Sequence, residues 1–331
     1  MDFFTIAKEI LECLTEDKDT LYVICPYNIG DFLIDGGFCY ALLKKKRKRN
    51  CILIVRDRFR GADINFIGVS EIRYISQQVM DFLREYVYAT SSYETDNYIY
   101  GHFHVKDGHY DVTDELSFVE RYRENVLNLP REAEFLPPLV DDLAEKDIAA
   151  LHAKYDLDSK RTIVLTPYAN SRANMPETFW ETLASEIHKT FDVTIYTNVA
   201  APNEKVVPGT LPIVATFKEI RYIASNVKCF AGLRSGIGDF LALTTNVPIF
   251  YLQYLGAWHD DLKINYPASQ SVTFYDGTRD KEWILSAMRG YNVESVEELN
   301  FFGRIEGKNV CLDLNGLLEK LLHAVSNILR E

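Results

Sequence analysis

The sequence contains little that would point to a disulfide-rich, zinc-binding or membrane-spanning protein. Only six of its 331 residues are cysteines, and no two of them have the Cys-x-x-Cys spacing of a zinc or redox site. Cys25 and Cys51 stand in apolar, strand-like runs, where cysteine is usually a small buried hydrophobe. No stretch approaches the roughly 18 uninterrupted apolar residues that a membrane-spanning helix needs. We therefore expect a cytoplasmic protein in a reducing compartment.

The sequence also lacks an excess of positive charge. Its 36 lysines and arginines stand against 48 aspartates and glutamates, and the formal net charge is −12. Because phosphate contacts along a nucleic acid need a basic surface, this balance argues against general nucleic-acid binding. It leaves room for one small anion, since a few backbone NH groups and one arginine can outweigh distant surface charge.

Metal ligands are scarce as well. His102, His104 and His109 share one segment, but no carboxylate cluster accompanies them, so we interpret them as surface or core histidines. We interpret the acidic pairs 141–142 and 260–261 as helix-start or surface residues. We predict no metal site and no cofactor.

What the sequence does contain is the alternation of an α/β protein. An apolar run at Leu21–Cys25 is followed by the turn Asn28–Asp31, a helix to about Lys46 and a second apolar run at Cys51–Val55. Strand, helix and strand in this order make a βαβ unit, which predicts a parallel sheet. To the less regular segment 65–125 we assign short strands without an order.

The same alternation restarts after the proline-rich stretch 129–138, which we interpret as a linker. The second series predicts helices at 142–155, 176–190, 217–225 and 239–244, and strands at 161–167, 193–197, 213–215, 227–231 and 247–252. We predict two Rossmann-like domains facing a cleft, residues 1–138 and 139–311, because the length fits two domains of about 150 residues. A C-terminal helix at 312–331 could pack across the junction. No internal repeat is evident.

The best-marked motif is the turn Gly232–Asp239, where a buried strand leads into a glycine-rich turn and a helix starts. Free NH groups at such a helix start form an anion site, and Gly236 and Gly238 let the backbone approach a phosphate. Arg234, beside Ser235, could add bidentate hydrogen bonds to phosphate oxygens. The alternative is a plain strand-to-helix turn whose arginine pairs with a carboxylate. We favour phosphate binding because arginine, serine and two glycines coincide at this point.

A matching turn, Pro26–Leu33, follows the first strand and therefore lies at the carboxyl edge of its sheet, where open α/β folds bind ligands. Asp31 is placed to face the cleft, and a carboxylate there could remove a proton from an acceptor hydroxyl. Asn28 and Gly30 accompany it on the acceptor side. An equally weighted alternative is that Asp31 is only the N-cap of the next helix.

The third loop, Thr166–Pro176, follows a strand of the second domain and collects small, polar and basic residues. Asn170, Ser171 and Arg172 suit a phosphate or a sugar. Taken alone, the loop is more simply interpreted as a solvated connection. The ligand-binding interpretation of this loop is strengthened because the loop would share a sheet edge with the turn at 232–239.

The basic run Lys44–Arg49 stands out in an acidic protein. One interpretation is peripheral contact with an anionic membrane surface or an anionic acceptor. The interpretation that we favour is a solvated helix end, where cations complement the negative end of the helix dipole.

Taken together, the three turns resemble glycosyltransferase family 9, the ADP-heptose–lipopolysaccharide heptosyltransferases. Gly30–Leu33 is similar to the family's Gly-Asp-x-x-Leu-like motif after the first strand. Met175–Trp180 is similar to its tryptophan- and proline-containing helix start in the second domain. Arg234–Asp239, with Val247 and Pro248 following, is similar to its Asp-Ser/Thr-Gly-x-x-His turn and to the Val-Pro strand after that turn.

The resemblance spans roughly residues 20–55 and 160–255. It implies a GT-B fold and an enzyme that closes two domains over a nucleotide-diphosphate sugar and moves the sugar to a glycan, lipid-linked or protein acceptor. It implies that Asp31 is the catalytic base and that Ser235 and Gly236 contact the donor diphosphate. It implies no metal and no cofactor other than the donor. A cytoplasmic location, peripheral to the inner membrane face, fits such acceptors.

The sequence departs from the family pattern on the donor side. Arg234 stands where the family has an acid, Asp239 stands where it has a histidine, and Arg172 lies one position from the place of the family's lysine. The two arginines and the amides of 235–238 would stabilise the charge that develops on the leaving diphosphate. The departures leave the donor sugar open, and heptose is not assumed.

Two other functions stay open at this point. Polysaccharide pyruvyl transferases also resemble GT-B folds and begin with an Asn-x-Gly-Asp turn, here Asn28–Asp31. The chain could also be a glycosyltransferase-like subunit that binds a nucleotide sugar or a partner protein without catalysis, because Arg234 and Asp239 depart from the family pattern.

Overall fold

The computed structural model describes residues 2–101, 122–169, 177–233, 235–254, 270–276, 299–301 and 314–330. The chain divides into two compact units, with the boundary between Asp141 and Asp142, and each unit is described by itself. The helices have the following bounds: α1 Phe3–Leu14, α2 Ile29–Lys46, α3 Gln77–Thr90, α4 Glu145–Lys154, α5 Glu177–Thr190, α6 Phe217–Ala224, α7 Gly236–Thr244 and α8 Leu314–Arg330.

The first unit is built on a parallel sheet of four strands. Their order is β4-β2-β1-β5, and every pairing is parallel. A separate antiparallel pair joins β3 to β6. The bounds are β1 Thr20–Ile24, β2 Asn50–Arg56, β3 Ile64–Asn65, β4 Glu71–Ile75, β5 Tyr98–Tyr100 and β6 Leu139–Val140.

Strands β1, β2 and β5 of the first sheet carry apolar side chains and are buried, apart from Asn50, whereas the edge strand β4 is more exposed. All five residues of β1 are buried, as expected for an inner strand of a parallel sheet. Helices α1 and α3 contribute to one core cluster with the strands, whose buried members are Leu11, Tyr22, Ile24, Ile52, Ile54, Met80, Leu83, Val87, Tyr98 and Tyr100. This packing fixes where the strands end and therefore where the turns after β1 and β2 lie.

Helix α2 makes close contacts through two glycines. A Cβ at Gly36 would overlap the ring of Phe66, and a Cβ at Gly37 would overlap the ring of Phe135. The backbone NH of Leu136 also donates to the carbonyl of Gly37 over 2.9 Å. The proline-rich stretch 129–138, which we predicted to be a linker, is thus packed on α2 within the first unit.

The second unit is built on a larger, mixed sheet with the order β13-β12-β11-β10-β7-β8-β9. Strands β7 to β11 pair in parallel, whereas β12 pairs antiparallel with both β11 and β13. The bounds are β7 Thr162–Thr166, β8 Thr194–Asn198, β9 Leu211–Ile213, β10 Cys229–Leu233, β11 Ile249–Tyr254, β12 Gln270–Asp276 and β13 Leu299–Phe301. Strand β10 lies between β7 and β11, so the turn that follows it lies at an inner position of the sheet edge.

The core of the second unit joins this sheet to α5 and α8. Helix α5 contributes Phe179, Trp180 and Leu183, and α8 contributes Leu321 and Val325, all of them buried in one cluster. The amphipathic C-terminal segment is therefore a helix whose apolar face packs on the second unit. Packing of this helix across the junction stays a prediction.

The prediction of an α/β protein with two Rossmann-like units is confirmed, although the second sheet also carries the antiparallel strands β12 and β13. The main differences lie at element boundaries. Strand β9 ends at Ile213, where we predicted a strand to begin, and α7 begins at Gly236, three residues before the predicted start at Asp239. In the described part of the chain, no helix is both long enough and apolar enough to span a membrane.

Candidate functional site

Among the described residues, two hydrogen-bond donors hold Asp31 at the carboxyl edge of the first sheet. It is the third residue of α2, and its Oδ2 accepts a bond from the backbone NH of Asn28 over 3.1 Å. Its Oδ1 accepts a bond from the hydroxyl of Tyr122 over 2.8 Å. The residue that caps the helix is Asn28, so the alternative that Asp31 is itself the N-cap is wrong. The half-buried carboxylate of Asp31 is fixed in orientation at a sheet edge.

Tyr122 is the partner of Asp31 that the sequence did not reveal. It lies 91 residues further along the chain, in a short π-helical turn at Tyr122–Val126, and it is fully buried. Burial raises the pKa of this hydroxyl well above its usual value, and the charge of Asp31 adds to the rise. Tyr122 therefore stays protonated and acts as a donor to the carboxylate.

Asp35 is a second acid of α2, one helical turn after Asp31. Its side chain is fully buried, and neither carboxylate oxygen has a hydrogen-bond partner in the part of the chain that the structure describes. A Cβ at Gly101, just after β5, would overlap the carboxylate. Burial raises the pKa of Asp35 well above its usual value, and the charge of Asp31 raises it further. We infer that Asp35 is neutral when Asp31 is ionised.

Two arginines lie at the same edge, at and just after the end of β2. Arg58 donates from Nη2 to the side-chain oxygen of Asn28 and, over 3.1 Å, to the carbonyl of Tyr27. Arg56 is the last residue of β2, and its guanidinium lies 5.7 Å from the centre of the Tyr27 ring. Asn28 was predicted to be an acceptor-side residue, and its side chain is used to hold Arg58. Neither arginine stands out in the sequence, because Arg56 ends a strand that carries no motif and Arg58 comes two residues later.

The carboxyl edge of the second unit's sheet, called the second edge below, has the helix start that the sequence predicted after β10. Ser235 is the N-cap of α7 in extended conformation, Gly236 and Gly238 lie in the first turn, and the Asp239 NH donates to the Ser235 carbonyl over 3.1 Å. Asp239 is buried, with 7% of its surface exposed. The first amides of a helix have no acceptor within the helix, so this turn offers donors to an anion.

Strand β10 approaches β7 closely just before this turn. A Cβ at Gly232 would overlap the hydroxyl and the carbonyl of Thr166, so only glycine fits there. The hydroxyl of Thr166 is buried, and in the described ranges it has no hydrogen-bond partner. A buried polar atom without a partner is uncommon and is often completed by water or a ligand. The hydroxyl of Thr166 thus indicates a binding site at the carboxyl edge of the second unit's sheet, independently of the turn after β10.

Several predicted residues lie outside the described part of the chain. These are Arg234 of the turn, the loop residues Asn170, Ser171 and Arg172, and the histidines His102, His104 and His109. Their assignments therefore stay predictions. Among the residues that the structure does describe, no group of three or more histidines, cysteines and acids could hold a metal ion.

The two edges share a sequence repeat that we did not recognise at first. Ile-Gly-Asp-Phe-Leu occurs at 29–33 and again at 237–241. Both copies follow an inner, buried strand and lie in the first turns of a helix, and the phenylalanine and leucine of each are buried. The expectation that the sequence holds no internal repeat is therefore wrong for these five residues. A direct comparison of the two turns would have found the repeat.

The basic run Lys44–Arg49 is largely used within the first unit. Lys45 donates to the carbonyls of Leu127 and Asn128, at 3.3 and 2.6 Å. Lys46 pairs with Glu94 at 2.6 Å, and Lys48 pairs with Asp96 at 3.2 Å. These contacts favour the structural interpretation of the run, and membrane contact stays a prediction without support here.

No protein-family model matches the chain, and no curated protein matches its sequence. Similar solved structures include ADP-heptose lipopolysaccharide heptosyltransferase II from E. coli, with 14% identity, 70% of this chain and 83% of that chain covered, and a TM-score of 0.47. A family 9 glycosyltransferase from Veillonella parvula has 12% identity, coverages of 83% and 97%, and a TM-score of 0.48. E. coli heptosyltransferase WaaC with ADP has 10% identity, coverages of 70% and 86%, and a TM-score of 0.41. At these values the likeness is a distant one of fold and assigns no residue a role.

Proposed function

We propose that the chain is a glycosyltransferase that moves a sugar from a nucleotide-diphosphate sugar to an acceptor hydroxyl. In this proposal the first unit binds the acceptor and the second binds the donor. The observation that carries the proposal is Asp31, a carboxylate held by two donors at the carboxyl edge of a parallel sheet, which is where such sheets bind ligands.

Asp31 is proposed as the general base. As the acceptor oxygen attacks the sugar, the carboxylate takes the proton of that hydroxyl, a step that typically contributes about 10²–10⁴-fold to the rate. The bonds from Asn28 and Tyr122 keep the carboxylate in one orientation. Preorganisation of this kind lowers the cost of reaching the reactive geometry. Gly30, the residue before Asp31, leaves the acceptor side of the turn without a side chain.

The start of α7 is proposed as the site of the donor diphosphate. Ser235, Gly236 and Gly238 present backbone amides at a helix start, and the unpartnered hydroxyl of Thr166 lies at the end of the neighbouring strand. Arg234 precedes this start in the sequence and would add a guanidinium. Together these groups would stabilise the negative charge on the departing diphosphate.

The proposal needs neither a metal nor a further cofactor, because amides and arginine meet the charge of the leaving group. The acceptor is proposed to be a glycan or a lipid-linked or protein-bound hydroxyl, reached from the cytoplasm. In this proposal the loop at 170–172 recognises the base and the sugar of the donor as much as the turn does.

The first experiment is a panel of nucleoside diphosphates tested for thermal stabilisation, with phosphoenolpyruvate as the competing ligand. A ligand at 100 times its Kd stabilises a protein by about 2.7 kcal/mol, which such a panel resolves. We expect at least one nucleoside diphosphate to stabilise the wild type and Arg234→Ala to weaken that binding. Stabilisation by phosphoenolpyruvate alone would favour pyruvyl transfer, and equal binding by Arg234→Ala would remove this arginine from the phosphate site.

A second experiment separates catalysis from binding alone. Nucleotide sugars that bind are tested for slow hydrolysis of the donor by the wild type and by Asp31→Ala. We expect hydrolysis to fall in the variant while nucleotide affinity persists. Hydrolysis at the same rate in both proteins, or none in either, would favour a subunit that binds the nucleotide sugar without turning it over.

A further inference from the structure

The first unit contains a largely buried arginine, Arg56, for which the proposed chemistry has no role so far. Arg56 is 8% exposed, and its Nε atom has no hydrogen-bond partner within the described ranges. Its guanidinium lies over the face of the Tyr27 ring, 5.7 Å from the ring centre. Buried arginines are normally paired with carboxylates or carbonyls, because an isolated buried charge is costly. The Nε donor of Arg56 is therefore buried without an acceptor among the described residues, and a bound anion would supply one.

A second guanidinium adds to the charge at this point. Arg58 is anchored on Asn28 and Tyr27, the two residues that lead into α2. Partial burial lowers the pKa of Arg58 first, and repulsion from Arg56 lowers it further, whereas the charge of Asp31 raises it. The two arginines thus repel each other, and a bound anion would relieve that repulsion.

The start of α2 adds a third favourable element. The helix has 18 residues and follows Tyr27 and Asn28 directly. Its first turn presents amides and the positive end of the helix dipole, which favour negative charge. Asp31 in the same turn contributes one negative charge, but its two oxygens point to Asn28 NH and Tyr122 OH. Two guanidinium groups and a helix start outweigh that single carboxylate.

We propose that Arg56, Arg58 and the start of α2 form a binding site for an oxyanion, a phosphate or a carboxylate carried by the acceptor substrate. Guanidinium groups match both through bidentate hydrogen bonds. The site lies beside Asp31, so an acidic group bound there would place a nearby hydroxyl at the base. Its assignment to the acceptor rests on the proposed function, whereas the anion site itself does not.

The direct test is calorimetric or NMR titration of the full chain with methyl phosphate and, in a separate arm, with methyl glucuronide. We expect saturable binding of at least one of them, and the stronger ligand identifies the source of the oxyanion. Arg56→Gln should weaken that binding about tenfold or more, because charge-assisted bidentate bonds are lost. Arg73→Gln is the matched control, since Arg73 is already paired with Glu71 at 3.1 Å in the same unit. No saturable binding in the wild type, or equal affinity in Arg56→Gln, overturns the proposal.

Thermal unfolding without ligand provides a second readout. Arg56→Gln loses the contact with the Tyr27 ring but breaks no ion pair among the described residues, so it should melt no lower than Arg73→Gln, which does lose one. The stabilisation that the anion gives to the wild type should be lost in the variant. A fall in melting temperature larger than that of Arg73→Gln would show that Arg56 has a structural partner and would overturn the proposal.

These outcomes are separable from the fate of the proposed function. If the chain transfers no sugar but Arg56→Gln still loses the anion, the anion site holds and the assignment to an acceptor fails. If transfer is observed and Arg56→Gln binds the anion as well as the wild type does, the proposed function holds and this site fails.

Discussion

The two sheet edges carry the same five residues, Ile-Gly-Asp-Phe-Leu, and use the acid differently. In the first unit the helix begins at the isoleucine, so Asp31 is its third residue and reaches back to the NH of the N-cap. In the second unit the helix begins one residue earlier, at Gly236, so Asp239 is the fourth residue and is buried. A shift of one helical position therefore distinguishes a carboxylate that caps the helix at the sheet edge from an acid that is buried.

This difference suggests that the two turns have different functions. The third helical position leaves Asp31 half exposed at the sheet edge, where a carboxylate can meet a substrate hydroxyl. The extra glycine at the start of α7 leaves the first turn of the second edge with backbone amides in front, which suits an anionic ligand. The same pentapeptide is therefore proposed to serve a base in one unit and a phosphate site in the other.

Replacing each of the two acids by its amide should give the largest difference between the two sheet edges. We expect Asp31→Asn to lower kcat by about 10²–10⁴-fold, because asparagine cannot take the proton, with little change in donor affinity. Asp239→Asn, the same change in the second copy, should act on donor KM or stability instead. Steady-state kinetics of both variants make the measurement. An equal loss of kcat in both would mean that the two acids do not have distinct roles.

The second largest effect concerns Asp35, the neutral acid behind Asp31. Its folded pKa is raised, so the folded state keeps a proton that the unfolded state releases above about pH 4. Stability is therefore lost as pH rises from the unfolded pKa towards the folded one, by up to about 1.4 kcal/mol per pH unit. We expect Asp35→Asn to be more stable than the wild type near pH 7 and to gain less near pH 5.

Denaturant unfolding of Asp35→Asn at several pH values measures this gain. Asp239→Asn is the comparison in the second unit, because Asp239 does have a partner and its loss should destabilise the chain. A stability difference between Asp35→Asn and the wild type that is the same at every pH would contradict a neutral Asp35.

A smaller effect is expected where the two units use glycine for close packing. Gly232 lies against the backbone of Thr166, whereas Gly37 of the first unit lies against the ring of Phe135. A ring can turn aside more easily than a strand can move. We expect Gly232→Ala to cost near the upper end of about 1–3 kcal/mol in the free energy of unfolding, and Gly37→Ala to cost less. Chemical denaturation checks the order, and a larger loss for Gly37→Ala would contradict it.

The sequence predicts the strands and helices that local patterns determine. The buried runs that became β1, β2, β7 and β10, and the helices that follow their turns, are visible as apolar segments, and a glycine or a proline closely follows β1, β7 and β10. Element ends were less predictable, because the start of α7 depends on the capping of Ser235, which shows no side-chain cap bond and gives only a weak signal.

The partners of the candidate base could not be predicted in this way. Arg56 ends an ordinary strand, and the burial of its Nε atom without a partner among the described residues is a property of three-dimensional packing. Asp35 reads as one more acid on a helix until its burial is known. Tyr122 lies in the irregular segment where no periodicity places an element, and its contact with Asp31 spans 91 residues. Long-range contacts of this kind leave no mark in a local pattern.

The smallest expected effect tests whether that long-range contact supports the base. In Tyr122→Phe the carboxylate of Asp31 loses one donor but keeps the NH of Asn28, so we expect kcat to fall by about threefold to tenfold, the equivalent of one hydrogen bond. Losing a donor also disfavours the charged form, so the acidic limb of the rate profile should move to higher pH. Tyr98→Phe, which loses a bond to the Ser92 carbonyl in the same unit, is the control for simple destabilisation. If both variants change kcat equally and neither shifts the acidic limb of the rate profile, Tyr122 stabilises the fold and does not support Asp31 as the base.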